Sequence, residues 1–400
     1  MSTAVATAAP ARAVNPRHAG WAGIALGFIA WFFALPPALV RTPVPSILIG
    51  LLAMTAGAWA ISGGEKRLGW GAIVAGLVGG AGAVASTQSG VGNLKDVVTW
   101  SALIAATLRY ATPLTFGALG GIISERSGVV NIALEGMMLT GAFFGIFGAD
   151  LLDSWFLGLL VGMAAGGVVA LLYAFFAIHL RADQIVGGTA INFLALGVTG
   201  YIFLDHYGDQ GTPDNIPRVP DVSIPGLKDL SFFGDAIGKA NLLTWVALVG
   251  AAVLAVFLFR TPQGLRVRAV GEHPRAAETV GISVMRTRYV AVVCSGVLAA
   301  MGGAYLSIAF VGSFNQGMTA GRGFIALAAV IFGKWSPGGA VAAAMLFGFS
   351  TALAQRLPAF SPSAAVLFQA LPYVLTLIAV AGVIGRSRPP AADGQPYIKE

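Results

Sequence analysis

Twelve apolar runs, nearly free of charge, recur along the chain near 20–40, 46–62, 69–86, 113–124, 130–148, 155–178, 185–204, 241–259, 290–311, 322–333, 338–357 and 363–385. A run of about 20 such residues crosses a hydrocarbon layer ~30 Å thick. Inside that layer water cannot satisfy the backbone, so each run must close its own hydrogen bonds as a helix. A set of soluble domains is excluded by surface chemistry, because only 10% of the 400 residues are charged while 56% are hydrophobic. A soluble domain carries about 25% charged residues. The same figures exclude disorder, which needs polar, charge-rich sequence. The mean hydropathy of +0.80 and the 54 glycines fit helices that approach closely through small residues. The expected fold is all-α: a polytopic membrane helix bundle. The first run has the look of a signal peptide, but a second run follows at once, so a retained helix is expected.

Basic residues fix the expected orientation. The stretch from Arg260 to Arg288 carries six arginines against Glu272 and Glu278, which places it in the cytoplasm. Alternation from that point puts both termini inside, with 16 Lys and Arg inside and eight outside. The loop 205–240 then falls outside and holds six aspartates. The net charge of +7 is therefore a topology signal, and nucleic acid is not an expected partner. Residues 94–110 contain Asp96, Arg109 and Tyr110, so they read as an interfacial amphipathic helix. Thr112 as N-cap and Pro113 at the first helical position predict a new helix from Pro113. Its twelve apolar residues reach roughly 18 Å, too short to cross alone.

An internal repeat is visible. Gly117-Ala-Leu-Gly-Gly121 is echoed by Leu298-Ala-Ala-Met-Gly-Gly303, and each leads through a polar break into apolar segments of similar number. The breaks hold Asn131-Ile-Ala-Leu-Glu-Gly136 and Phe314-Asn-Gln-Gly317. Repeats at about 113–204 and 290–385 are separated by one span, 241–259, so the second must be inverted. Transporters of that kind place the solute path near the midplane, beside short or broken helices.

Candidate path residues follow from that reading. Glu135 lies one helical turn after Asn131, and an ionisable residue within a span is a functional candidate. It either lines a path for a hydrophilic solute or pairs with Arg126 to hold the break closed. Gln184, Thr189 and Asn192 either line the same path or bond helix to helix. Asn315 and Gln316 hold the matching break of the second repeat, as lining or as loop surface.

The loop 260–288 carries a second signal. Pro274 suits a helix start, Ala276 and Ala277 are good helix formers, and Gly281 suits a stop. The expected result is a short cytoplasmic helix that docks into a groove on a soluble partner. Gly234-Asp-Ala-Ile-Gly-Lys239 falls short of a phosphate loop by one residue and lacks the following Ser or Thr. The four histidines, 18, 179, 206 and 273, show no metal-ligand spacing, and the one cysteine, Cys294, excludes a disulfide framework.

Gly120-Gly-Ile-Ile-Ser-Glu-Arg-Ser-Gly-Val-Val-Asn-Ile-Ala-Leu-Glu-Gly-Met-Met138 closely resembles the signature region of permease subunits of ABC importers. The family is that of branched-chain amino acid, ribose and nucleoside permeases, and the Glu-Arg-Ser-Gly form looks like its nucleoside or simple-sugar branch. Gly271-Glu-His-Pro-Arg-Ala-Ala277 is similar to the family's coupling loop, and Gly321-Arg-Gly-Phe-Ile-Ala-Leu-Ala-Ala-Val-Ile-Phe-Gly333 also matches. The resemblance covers about residues 95–385.

It implies a ten-helix inverted-repeat core preceded by two extra helices. The domains would be 1–62, with those two helices, a transmembrane permease domain at 63–385, and a cytoplasmic tail at 386–400. Coupling to an ATPase would fall on Glu272, Pro274, Arg275, Ala276 and Ala277. The implied partners are an ATP-binding subunit with two nucleotide-binding domains, a second related permease and an extracytoplasmic solute-binding lipoprotein. The chain would be non-catalytic, multi-pass in the inner membrane and without a cofactor of its own, ATP being bound by the partner. An ion-gradient-driven transporter using Glu135 is the alternative mechanism; simple sugars or branched-chain amino acids are the alternative solutes.

Overall fold

The computed structural model describes residues 15–34, 44–88, 100–226, 234–356, 370 and 388–398. The last apolar run, 363–385, lies outside the described residues apart from residue 370. Helices dominate, and among the described residues eight are long and apolar enough to span a membrane.

The chain divides into two compact units, one of Met1–Trp100 with Gln355–Gly385, the other of Ser101–Ala354 with Arg386–Glu400. In the first unit, α1 (Pro16–Ala34), α2 (Val44–Ser62) and α3 (Lys66–Gln88) pack against one another. Their contacts are made by small residues. Gly50 of α2 lies directly on the Gly76 carbonyl of α3, where any side chain would overlap backbone, so the two helices meet main chain to main chain. Leu48, Leu52, Trp59 and Trp70 point outward instead, as lipid-facing side chains do. The α3 span, counted in sequence with the permease domain, packs here with α1 and α2.

The second unit starts with α4 (Trp100–Arg126), a helix of 27 residues with Pro113 inside it. This corrects the expectation of a separate interfacial helix and a fresh start at Pro113. Thr112 is no N-cap: its hydroxyl donates back to the Leu108 carbonyl at 2.7 Å and also meets the Thr244 hydroxyl at 3.1 Å. Proline costs one backbone bond and crowds the preceding turn; the flanking helix, packed through Ala111, Leu114 and Ala118, carries that cost. Arg109 stays exposed, which removes the objection to a charge within the helix.

Further along come α5 (Leu134–Leu151), α6 (Trp155–Ala174, extended by a π turn Phe175–His179) and α7 (Gln184–Tyr207). Ser154 caps α6 and the Asp183 carboxylate caps α7 through the Ile185 and Val186 amides. The loop to the next helix is not wholly irregular, since β1 (Asp221–Ser223) pairs antiparallel with β2 (Lys239–Asn241). Asn241 then caps α8 (Leu242–Arg260). Two short helices, α9 (Pro262–Glu272) and α10 (Pro274–Thr279), precede α11 (Val284–Ala304), which runs on into a π turn Tyr305–Val311. The short α12 (Arg322–Phe332) and then α13 (Pro337–Arg356) follow.

Direction within this unit is set by its contacts. α4 ends beside α9, with Gly271 against the Arg126 carbonyl; this is the basic end. α11 starts there and finishes at the far end, where the Val219 amide donates to the Ile308 carbonyl and the Phe314 amide to the Thr212 hydroxyl. Thus α4 and α11 run in opposite directions, and the irregular stretches that follow them, 127–133 and 312–321, lie at opposite ends. The core between is a cluster of α5, α6, α7 and α11 side chains centred on Met137, Met138, Phe143 and Tyr305.

Candidate functional site

The stretch 127–133 leaves the end of α4 through Gly128, whose φ of +88° suits a residue without Cβ. Irregular backbone within a membrane bundle must find partners inside the protein. Here they come from four helices. Ser124 of α4 donates to the Val129 carbonyl at 2.6 Å. The Val130 amide donates to the Gln184 side-chain oxygen at 2.8 Å, and the Tyr173 hydroxyl donates to the Val130 carbonyl. The Asn131 amide group donates to the Ser295 hydroxyl at 2.8 Å. Asn192 works in both senses, giving its NH₂ to the Ile132 carbonyl at 3.0 Å and taking the Gly136 amide at 2.7 Å. α5 thus starts from a side-chain cradle.

Glu135 stands in the first turn of α5, half-buried. Its carboxylate takes the Gly321 amide on one oxygen at 2.8 Å and the Gly323 amide on the other at 2.6 Å. Those amides open α12, whose first turn has unsatisfied donors and a positive dipole end. Gly321, at φ +82°, has no side chain to cap the helix itself, so the Glu135 carboxylate from α5 does it. Arg322 holds the Met318 and Thr319 carbonyls, fixing the turn that presents the amides. Gly323 lies so close to the Glu135 backbone that any Cβ would overlap it.

The sequence-predicted path residues therefore fall into groups. Asn131 and Gln184 are buried, Asn192 and Glu135 half-buried; Gln184, Asn192 and Glu135 hold backbone of the two breaks, while Asn131 bonds the Ser295 hydroxyl. Thr189 is exposed on α7 and bonds only its own helix, at the Ile185 carbonyl. Asn315 and Gln316 are exposed, with Asn315 on the wall of a far-end cavity of about 460 Å³ shared with Phe203 and Thr212. A pairing of Glu135 with Arg126 does not occur. Arg126 gives its Nε and an Nη to the Trp335 carbonyl, at 3.1 and 2.9 Å.

The basic end is the second candidate region. Thr261 caps α9 with Pro262 at its start; a reading that began the helix signals at Pro274 missed this helix, although Thr-Pro is its marker. α10 forms as expected. Glu272, Arg275 and Ala276 are exposed, Pro274 is half-buried, and Ala277 packs inward against Val270, Val284 and Tyr397. Beneath them Trp335 donates to the buried Glu125 carboxylate at 2.5 Å.

Residues 388–398 complete this end. The Ala392 amide donates to the Gly271 carbonyl at 2.9 Å and the Ala391 amide to the Glu272 carboxylate at 3.2 Å. Arg288 donates to the Gln395 carbonyl at 2.9 Å, and Tyr397 bonds Glu278. Asp393 is largely buried here. Burial pushes its carboxyl up to about 7, against the opposing pull of the Gly394 amide and of Arg288. Nothing in the sequence of this tail announces such docking, because three of its four bonds are made by its backbone groups, with Ala392 and Tyr397 buried beside them. Ser295, Tyr173, Trp335 and Arg288 escaped the sequence reading for a related reason: each is a common side chain whose partner is remote in sequence.

Comparison with known proteins bears on both regions. Residues 103–380 match the family model described as the permease component of the branched-chain amino acid transport system. The guanosine ABC transporter permease protein NupQ of Bacillus subtilis is 45% identical over 75% of this chain and 97% of its own length. The nucleoside ABC transporter permease protein NupC of Lactococcus lactis is 39% identical over 76% of this chain and 98% of its own. A second Bacillus subtilis protein, the guanosine ABC transporter permease protein NupP, is 25% identical over 61% of this chain and 71% of its own. No solved structure matches.

Proposed function

The chain belongs to the family of branched-chain amino acid transport system permeases, a permease component of an ABC importer, and from that premise we propose that its solute is a nucleoside. The observation that carries this is the 45% identity to a guanosine permease, sustained over 97% of that protein. Glucose permeases also match, at 37% or less, so simple sugars rank second.

In this reading the chain sits in the inner membrane with its basic end in the cytosol, in keeping with the arginines of α9 and α10. The antiparallel run of α4 and α11 supports an inverted repeat, with the Glu135–α12 contact as the junction between its halves. ATP is bound by a partner ATPase, which grips α10; this chain supplies the path and no hydrolysis. The second permease is a related chain rather than a copy. Guanosine permeases of Bacillus subtilis match at both 45% and 25%, as do nucleoside permeases of Lactococcus lactis at 39% and 24%. A solute-binding lipoprotein delivers to the far end, where loop 208–226 and residues 312–316 are presented.

The test is uptake of labelled guanosine into vesicles holding the chain with its ATPase, second permease and binding protein. ATP-dependent uptake competed by other nucleosides, and not by ribose, glucose or leucine, is expected. Uptake driven by an ion gradient through this chain alone would overturn the reading.

A further inference from the structure

We infer that the C-terminal tail, residues 388–398, is one wall of the groove into which the ATPase inserts, so that α10 alone is not the docking site. This rests on the reading of α10 as the ATPase contact and adds a second element to it.

The tail is bound to the root of the α9–α10 elbow rather than laid over its outer face. Its four bonds go to Gly271, Glu272, Arg288 and Glu278, and Ala392 and Tyr397 are buried, at 5% and 7% exposure. Tyr397 packs on Val270 of α9, Ala277 on the inward face of α10 and Val284 of α11. The outward face remains open. Between the two elements runs a cavity of about 530 Å³, with His273, Arg275 and Ala276 on one side and Pro396 and Ile398 on the other.

The chemistry of the walls defines the occupant. Ile398 is 54% exposed. It lines the cavity with Pro274, Ala276 and Pro396, beside the exposed Arg275 and beside Glu272, whose carboxylate already takes the Ala391 amide. A slot with small and apolar walls and Arg275 at its edge takes an apolar side chain with a carboxylate beside it, on the surface of a soluble protein. Such a slot is concave and contiguous with the exposed face of α10, so the partner already assigned to α10 reaches both walls. A flat basic patch, by contrast, would suit anionic lipid.

Two variants of the full-length chain, co-expressed with its ATPase and second permease, test this. Ile398→Asp alters an exposed wall residue and leaves the tail's four bonds in place; the second variant stops the chain after residue 387. The amount of ATPase retained on the purified complex is measured, together with the thermal unfolding of the permease. Ile398→Asp is expected to lower retention about tenfold, as loss of a central interface residue does, with unfolding unchanged. Truncation is expected to lower it at least as far. Wild-type retention in Ile398→Asp would overturn the groove. Raised retention after truncation would also overturn it, since the tail would then cover the docking face instead of building it. Failure of the wild-type chain to retain any ATPase would remove the α10 reading itself and the groove with it.

Discussion

Glu135 and Gly323, 188 residues apart in the chain, are joined by a 2.6 Å hydrogen bond from the glycine amide to a carboxylate oxygen. The second oxygen takes the Gly321 amide, so a single side chain of α5 caps the short α12. Charge-assisted bonds of this kind are the strong ones, and a carboxylate at a helix N-terminus gains further from the dipole. The contact joins the first turn of α5 to the first turn of α12.

Glu135→Ala leaves two amides without an acceptor and is expected to destabilise the protein by about 1–3 kcal/mol. Glu135→Gln keeps one acceptor oxygen and loses the charge, so its loss should be smaller. Thermal unfolding in detergent orders the two variants, and uptake should fall in the same order. Equal unfolding in wild type and Glu135→Ala would mean that the cap carries no stability.

Gly323→Ala should be worse than an ordinary helix substitution. Alanine favours helix by about 1 kcal/mol over glycine, yet here its methyl would overlap the Glu135 backbone. Uptake should drop and unfolding should move down. A rise in stability, as at an open helix position, would contradict the close approach.

Arg275→Glu combined with Ala276→Asp reverses the charge on the exposed face of α10. Neither residue is buried, so insertion and unfolding should stay as in the wild type. Solute-stimulated ATP hydrolysis in the assembled importer should fall by about tenfold or more. An unchanged hydrolysis rate would exclude α10 as the coupling contact.

Docking of the tail should depend on pH. Buried Asp393 titrates near 7, against 3.8 when unperturbed. Between those values the docked tail keeps a proton that a free tail has released, so docking is strongest at low pH and weakens as pH rises toward 7. Hydrogen exchange at the Ala391 and Ala392 amides, corrected for the intrinsic pH dependence of exchange, should report progressively lower protection over that window. Asp393→Asn should flatten the profile, and a wild-type profile already flat would deny Asp393 the role.

Much of the fold was legible in the sequence, because hydrocarbon leaves so few options. The apolar runs at 46–62, 185–204 and 241–259 meet helices at Val44–Ser62, Gln184–Tyr207 and Leu242–Arg260, differing only where caps lie outside the apolar stretch. Glu135, Asn131 and Asn192 stand out in the sequence, since polar side chains in a span need a reason. Their partners were hidden: Glu135 and Asn192 meet backbone amides and a carbonyl, and Asn131 meets the Ser295 hydroxyl 164 residues away, none of which has a signature in a sequence. The continuity of α4 was misjudged because Thr112-Pro113 is an equally good marker of a helix start, and only the surrounding packing decides between the two. The tail was invisible as an element, being held by four bonds to groups more than 100 residues away.

One consequence follows from the length of α12. Its 11 residues rise about 16 Å, roughly half the depth of a ~30 Å hydrocarbon slab. Its last turn sits near Trp335 and Arg126 at the basic end, and the non-helical stretch 312–321 leads into its start, with Asn315, Gln316 and Ala320 exposed. Uncoiled main chain cannot face acyl tails; water or a neighbouring subunit must wet or shield it. A helix that stops halfway thus leaves the shielding of its own start to the protein, and Glu135 does this for the two leading amides.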